Sequence, residues 1–190
     1  MTDPYHHGDL QNALLEASVS LIEEHGVAGL SLREAARRVG VSHAAPYRHF
    51  ADKNALLIAL AEQGFSWLIA SAEAAMAAAP DATAALLAYG RQYVRFALRH
   101  PVHFRVMFTG AFPKGDLMLP AGVRAYQLLF EAAERASPGV DAHAVALSSW
   151  SAAHGLANLL LDGRVPPPLV ADEAGVEAVI NAVLARVDLR

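Results

Sequence analysis

Residues 31–53 read SLREAARRVGVSHAAPYRHFADK. Ser31 and Glu34 have the S-x-x-E spacing of a capping box, in which a hydroxyl accepts a backbone N–H at a helix start. A helix is therefore predicted from about Leu32. Leu32, Ala35, Ala36 and Val39 recur at helical spacing and form one apolar stripe. Gly40 follows the last of them, where a left-handed cap is favoured. Ser42 is a second N-cap candidate, which predicts another helix over roughly His43 to His49. Two helices joined by about three residues cannot lie antiparallel, and a crossing near a right angle results. This is the sequence form of a helix-turn-helix, whose second helix enters the major groove of DNA.

The second helix carries groove chemistry rather than core chemistry. His43, Ala44 and Ala45 form its first turn, where small side chains permit deep seating and methyls meet thymine methyls. Tyr47, Arg48 and His49 donate to phosphate or base edges. Phe50 is a core plug, and Asp52 caps a following helix whose first turn holds Lys53. Backbone N–H groups there, with the ammonium, make a phosphate clamp. The candidate DNA-contact set is Ser31, Arg33, Ser42, His43, Ala44, Ala45, Tyr47, Arg48, His49 and Lys53. Pro46 is the fourth helical position after Ser42. It removes one bond, to the Ser42 carbonyl, and is expected to be tolerated with a slight distortion.

Between Ser31 and Lys53, five basic residues (Arg33, Arg37, Arg38, Arg48, Lys53) stand against Glu34 and Asp52, a formal +3. The whole chain is −4, so the remainder sums to −7. Positive charge is concentrated where phosphates would lie. The first fifty residues as a block are not basic, with four Arg against six acidic residues. On pattern alone, a purely structural helical hairpin competes with DNA reading.

A resemblance decides between them. The run ALLEASVSLIEEHGVAGLSLREAARRVGVSHAAPYRHFADKNALL, from Ala13 to Leu57, resembles the N-terminal domain of the tetracycline-repressor (TetR-like) family of bacterial transcription regulators. The turn at Gly26, the Leu30-Ser31 entry, and Tyr47-Arg48-His49-Phe50 followed by Lys53 all fall in family positions. Pro46 departs from it, standing where many members have a bulky aliphatic residue. Trp150-Ser151-Ala152-Ala153-His154-Gly155-Leu156 resembles the tryptophan-histidine-glycine (WHG) type of C-terminal domain, and His100-Pro101 through Phe108 resembles its earlier helix junction. The resemblance implies a ligand-responsive repressor that binds a palindromic operator as a homodimer in the cytoplasm.

Length and composition agree. The 190 residues are 54% hydrophobic, much of it alanine, with 7% aromatics and no cysteine. Such a chain favours helix, and cysteine is lacking for a disulfide or thiolate metal site. The start, MTDPYHHGDL, is polar and acidic rather than signal-like, and His6-His7 is too short for a tag. The apolar stretch Ala55 to Ala79 is broken by Glu62, Gln63 and Glu73, a poor membrane span. The expected fold is all-α, with about nine helices. Residues 1–53 form a three-helix DNA-binding domain, and 54–190 a helical effector-binding and dimerisation domain. Helix one runs from about Asp9 to Glu24, four from Lys53 to Ala78, five from Ala82 to Arg99 and six from Pro101 to Phe108. A loop fills Gly110 to Pro120. Helix seven covers Ala121 to Ala136, eight Asp141 to Leu161 and nine Asp172 to Val187, after a stiff Pro166-Pro167-Pro168 linker.

Helix eight has Ala146, Trp150, Ala153, Ala157 and Leu160 at helical spacing, and helix nine has Val176, Val179, Ile180, Val183 and Leu184. They suit a four-helix dimer interface or, equally, an internal core. Candidates for a small-molecule pocket are Phe65, Tyr89, Tyr93, Phe96, Phe104, Met107, Phe108, Tyr126, Trp150 and His154, with Trp67 beside them. Each is also a plausible core residue. No cofactor is expected. Two alternatives are weaker. His100, His103 and His154, with His143, would serve a metal-responsive regulator, but Pro101 starts a new helix between the first two. Ser151 and His154 would serve a helical enzyme, but no nucleophile elbow, oxyanion loop or acid partner accompanies them.

Overall fold

The computed structural model describes residues 7–108 and 119–187. The loop predicted from Gly110 falls almost wholly outside them. The described residues form eight α-helices and two short 3-10 helices, with no strand. The helices are α1 (His7–Gly29), α2 (Leu32–Val39), α3 (Lys53–Ala77), α4 (Ala82–Arg99), α5 (Pro101–Phe108), α6 (Pro120–Ala136), α7 (Ala142–Leu161) and α8 (Glu173–Leu184). The 3-10 segments are Pro46–Arg48 and Pro167–Leu169.

The chain divides into two compact units, with the division in α3 after Gly64. The first comprises residues up to 64 together with 102–119. In it α1 packs on α2, and α2 on the Pro46–Arg48 turn. Leu14, Leu21, Leu32, Ala35, Ala36, Phe50, Leu56 and Leu60 are among its buried apolar residues. Each leucine so placed contributes about 2 kcal/mol of burial. Gly26, at φ 69° and ψ 173°, kinks α1, which resumes and ends at Gly29. A glycine is needed there because side chains with a Cβ rarely adopt positive φ. Gly64 is a close approach. A Cβ there would lie 2.7 Å from Met107 Sδ and 3.2 Å from His103 Cβ, so α3 and α5 press together. His103 is buried and its Nε2 lies 3.0 Å from Gln63 Oε1.

The second unit comprises residues 65–101 and 120–190. Its centre is α4, packed on α6, α7 and α8. Asp81, Asp141 and Asp172 cap α4, α7 and α8, each accepting a first-turn N–H. Arg95 of α4 grips Glu177 of α8 with two 2.7 Å bonds. That pair holds the Glu177 carboxyl below its ordinary range. By length and composition α3 and α7 would each suffice to cross a membrane. Each buries one face within the protein: α3 buries Leu56, Leu57, Leu60 and Leu68, and α7 buries Val145, Ala146, Ala153, Leu156 and Ala157.

Two expectations need correction. The helix predicted over His43 to His49 is not an α-helix. Residues 43–45 form a turn, and Pro46–Arg48 a single 3-10 turn. Ser42 does not cap it by its side chain; the residue before the 3-10 turn is Ala45, with no side-chain cap bond. The α7 residues offered for a dimer face are also largely internal. Ala146, Ala153 and Ala157 are buried within the protomer, as are Ile180 and Leu184 of α8.

Candidate nucleic-acid interface

Local bonds build the reader. The Ser31 hydroxyl accepts the Glu34 N–H at 3.2 Å, so the first half of the capping box forms. The second half does not, because the Glu34 carboxylate turns to Arg37, three residues on. Gly40, at φ 78°, caps α2 in the left-handed region and donates its N–H back to Ala36 and Arg37. Beyond it Ser42, His43, Ala44, Tyr47 and Arg48 are exposed, and Tyr47 retains 52% of its surface. Ala45 and His49 are half-buried, while Pro46 and Phe50 are buried.

Asp52 accepts the Ala55 N–H at 2.8 Å, which starts α3 as predicted. Lys53 donates to the Ala28 carbonyl at 3.2 Å, near the end of α1. Its ammonium has three donors, so two remain for other acceptors. Arg38 makes a bidentate pair with Glu24 of α1, at 2.9 and 2.6 Å. These pairings push the Glu24 and Glu34 carboxyls down, by hydrogen bonds from Arg38 and Arg37 respectively. The +3 counted along the segment is therefore not all available to a phosphate. The exposed cations without a carboxylate in these pairs are Arg33 and Arg48, joined by half-buried Lys53. The Glu24–Arg38 pair spans fourteen residues, and no local pattern announces it.

In the second unit the aromatic candidates converge in part. Trp150 Nε1 donates to the Tyr93 hydroxyl at 3.0 Å, and that hydroxyl lies 2.8 Å from His154 Nδ1. An indole only donates, so the phenol oxygen accepts it, and the same hydroxyl is shared with Nδ1. Burial pushes His154 below its ordinary value of 6.5. Burial likewise pushes the Tyr93 phenol upward. Tyr89 donates to the Ala125 carbonyl at 3.0 Å. A void of about 10 Å³ lies among Tyr89, Gly90, Tyr93, Leu129, Ser149, Trp150 and Ala153. That is the room of about one water molecule.

Residues 14–60 match the family described as bacterial regulatory proteins, tetR family. Residues 86–183, more than half of the chain, match the tetracyclin repressor-like C-terminal domain. This chain belongs to the TetR family. It is a DNA-binding transcription regulator. A solved protein of unknown function from Rhodococcus sp. RHA1 is 36% identical, with 98% of this chain and 99% of that one covered at a TM-score of 0.78. A TetR family transcription regulator from Marinobacter aquaeolei VT8 shares the fold at 20% identity, over 93% and 94% of the two chains, with a TM-score of 0.68. The Tetracycline repressor protein class A from transposon 1721 of Escherichia coli is 49% identical over 51 residues. That match spans 27% of this chain and 24% of the repressor's length.

TetR membership gives the remaining candidates their context. Tyr126 is half-buried, with its ring centroid 6.2 Å from that of Trp150 and its hydroxyl 3.0 Å from His143 Nδ1. Phe65 packs against Gly122, where a Cβ would lie 3.3 Å from its ring. Phe96 lies 5.2 Å from His100. Phe104, Met107 and Phe108 belong to the first unit, where the two phenylalanines pack edge to face at 5.3 Å. The ten pocket candidates are thus divided between units. Gly90 and Leu129 also line the void, and small or aliphatic residues of this kind carry no distinguishing signal in a sequence. Among the described residues no three His, Cys, Asp or Glu side chains gather for a metal. His103 turns to Gln63 instead. Ser151 is exposed and His154 faces Tyr93, so the enzyme alternative has no assembled site to stand on. TetR-family members are transcription regulators, not enzymes.

Proposed function

We propose that this TetR-family chain is a ligand-responsive repressor that binds a palindromic operator as a homodimer in the cytoplasm. Residues 1–53 read DNA, and 54–190 bind an effector and dimerise. The observation that carries the reading is the exposed run Ser42, His43, Ala44, Tyr47 and Arg48, backed by Lys53 at the start of α3. His43 and Ala44 approach base edges, while Ser31, Arg33, Tyr47, Arg48, the α3 N-terminus and Lys53 hold phosphates. Ser42, Ala45 and His49 border that surface.

One reader of this size is not selective. Two related by a dyad, about 34 Å apart, match one turn of duplex. The exposed face of α7 supports pairing of copies there: Leu147 and Leu159 retain 48% and 47% of their surface, and Val183 of α8 retains 37%. The effector belongs beside the Trp150–Tyr93–His154 chain. A ligand acts only through its different affinity for DNA-competent and released states. A selection from random duplex DNA, read by sequencing at two salt concentrations, tests the proposal. Enrichment of a palindrome with half-sites one turn apart is expected. Weak, unpatterned binding that moderate salt abolishes counts against it.

A further inference from the structure

Pro46 is among the most completely buried side chains in the protein, with less than 2% of its surface exposed. It cannot reach a nucleic acid. It nevertheless sits in the middle of the residues offered to one. We propose that Pro46 is a specificity-determining residue of the reader, acting through the backbone: it holds Ser42 to Arg48 as a turn and a 3-10 helix instead of an α-helix, and so selects the bases preferred. This rests on the DNA-reading role proposed above for that segment.

The hydrogen bonds show how. In an α-helix beginning after Ser42, the Ser42 carbonyl would accept the N–H of residue 46. A proline has none. The carbonyl instead accepts Ala45 N–H at 3.0 Å, three residues on. The same three-residue step recurs from Arg48 N–H to Ala45 O at 3.2 Å, and from His49 N–H to Pro46 O at 2.9 Å. Only Phe50 N–H, also at 2.9 Å from Pro46 O, makes a four-residue step. The ring meanwhile fills the buried site, so the segment cannot rotate to free it.

The geometric consequence is large on the scale of a base pair. A 3-10 helix turns about 120° and rises about 2.0 Å per residue, against about 100° and 1.5 Å for an α-helix. Over the two steps from Pro46 to Arg48 the difference is about 40° and about 1 Å. The rise alone is close to a third of the roughly 3.4 Å between successive base pairs. Tyr47 and Arg48 therefore stand at a different azimuth and height relative to His43 and Ala44 than an α-helical reader would place them.

The test uses the full chain with Pro46→Leu and Pro46→Ala. Leucine restores the N–H and fills the buried site. Alanine restores it with least bulk. Both are carried through the random-duplex selection beside the wild-type chain, with thermal unfolding as a control. The expected result is that both variants change the preferred base by about fivefold or more at one or more half-site positions. A change common to a large and a small side chain is a backbone effect. Variants that fold and enrich the wild-type site unchanged overturn the inference. Should neither variant fold, the wild-type complex with its selected duplex decides by NMR. Short Hα–HN contacts between residues two apart in 43–48 support the inference; contacts between residues four apart, the α-helical signature, overturn it. If the wild-type chain enriches no site, the DNA-reading proposal falls and this inference with it. If it does and the variants enrich the same site, this inference falls alone.

Discussion

Trp150 and His154 stand four residues apart on α7 and meet one phenol, that of Tyr93 on α4. The spacing was legible in the sequence; the shared partner was not, because Tyr93 lies fifty-seven residues from Trp150. Tyr93→Phe removes the acceptor used by the indole and the hydroxyl that bonds Nδ1. It should cost about 1–3 kcal/mol of stability by chemical denaturation. Burial holds His154 below 6.5 in the folded protein, so the unfolded chain takes up a proton first as pH falls. Stability is full above 6.5, declines below it, and levels off once the folded imidazole also titrates. His100 is depressed in the same direction, by burial first and Arg99 second. His154→Gln should therefore reduce the pH slope of unfolding free energy below about pH 6.5 without abolishing it. An undiminished slope assigns the titration elsewhere. Lys53 has two candidate roles, a bond to Ala28 and a phosphate contact. Lys53→Ala should flatten the salt dependence of DNA affinity by about one unit. An unchanged slope leaves Lys53 only as a tie to α1.

Helix ends were the most readable elements. Ser31, Asp52, the Pro101 start and the glycine at 40 all act where their chemistry predicts. Asp81 shows the same logic, and Asp81→Ala should lower stability by about 1 kcal/mol, measured by urea unfolding. Gly40 offers a cleaner separation of causes. A Cβ there would meet nothing within 4 Å, yet φ is 78°. Gly40→Ala should thus cost about 1–2 kcal/mol through conformation alone, and Gly40→Asn less. The segment after Gly40 was misread for a definable reason. A proline at the fourth position removes one bond from a long helix and leaves many. In a stretch as short as His43 to His49 it leaves about three, too few to offset helix initiation. Packing of the proline ring then decides the conformation. On α7 the difficulty was opposite. The helix is apolar nearly all round, so periodicity could not tell the face that packs inside the protomer from the one that remains outside. Ala146, Ala153 and Ala157 turned inward; Leu147 and Leu159 did not.

For the molecule as a whole, the exposed stripe of α7 makes a separable prediction. The pair Leu147→Glu and Leu159→Glu leaves the reader and the protomer core intact, because both side chains are on the surface. Sedimentation should show a dimer for the unaltered chain and a monomer for the double variant, and palindrome affinity should fall by more than tenfold while non-specific affinity holds. A dimer that persists moves the interface to another face. The aromatic arrangement has an optical consequence too. The chain has two tryptophans, and each neighbours a histidine whose protonation burial opposes. Trp67 lies 5.0 Å from His100, and Trp150 lies 6.3 Å from His154, ring centre to ring centre. A protonated imidazole quenches indole emission, and a neutral one does so far less. Intrinsic fluorescence thus reports two titrations without any label, and Trp67→Phe or Trp150→Phe silences one channel at a time. The Trp150 channel sits against the void where an effector would enter, so its brightness and colour become a direct readout for screening ligands.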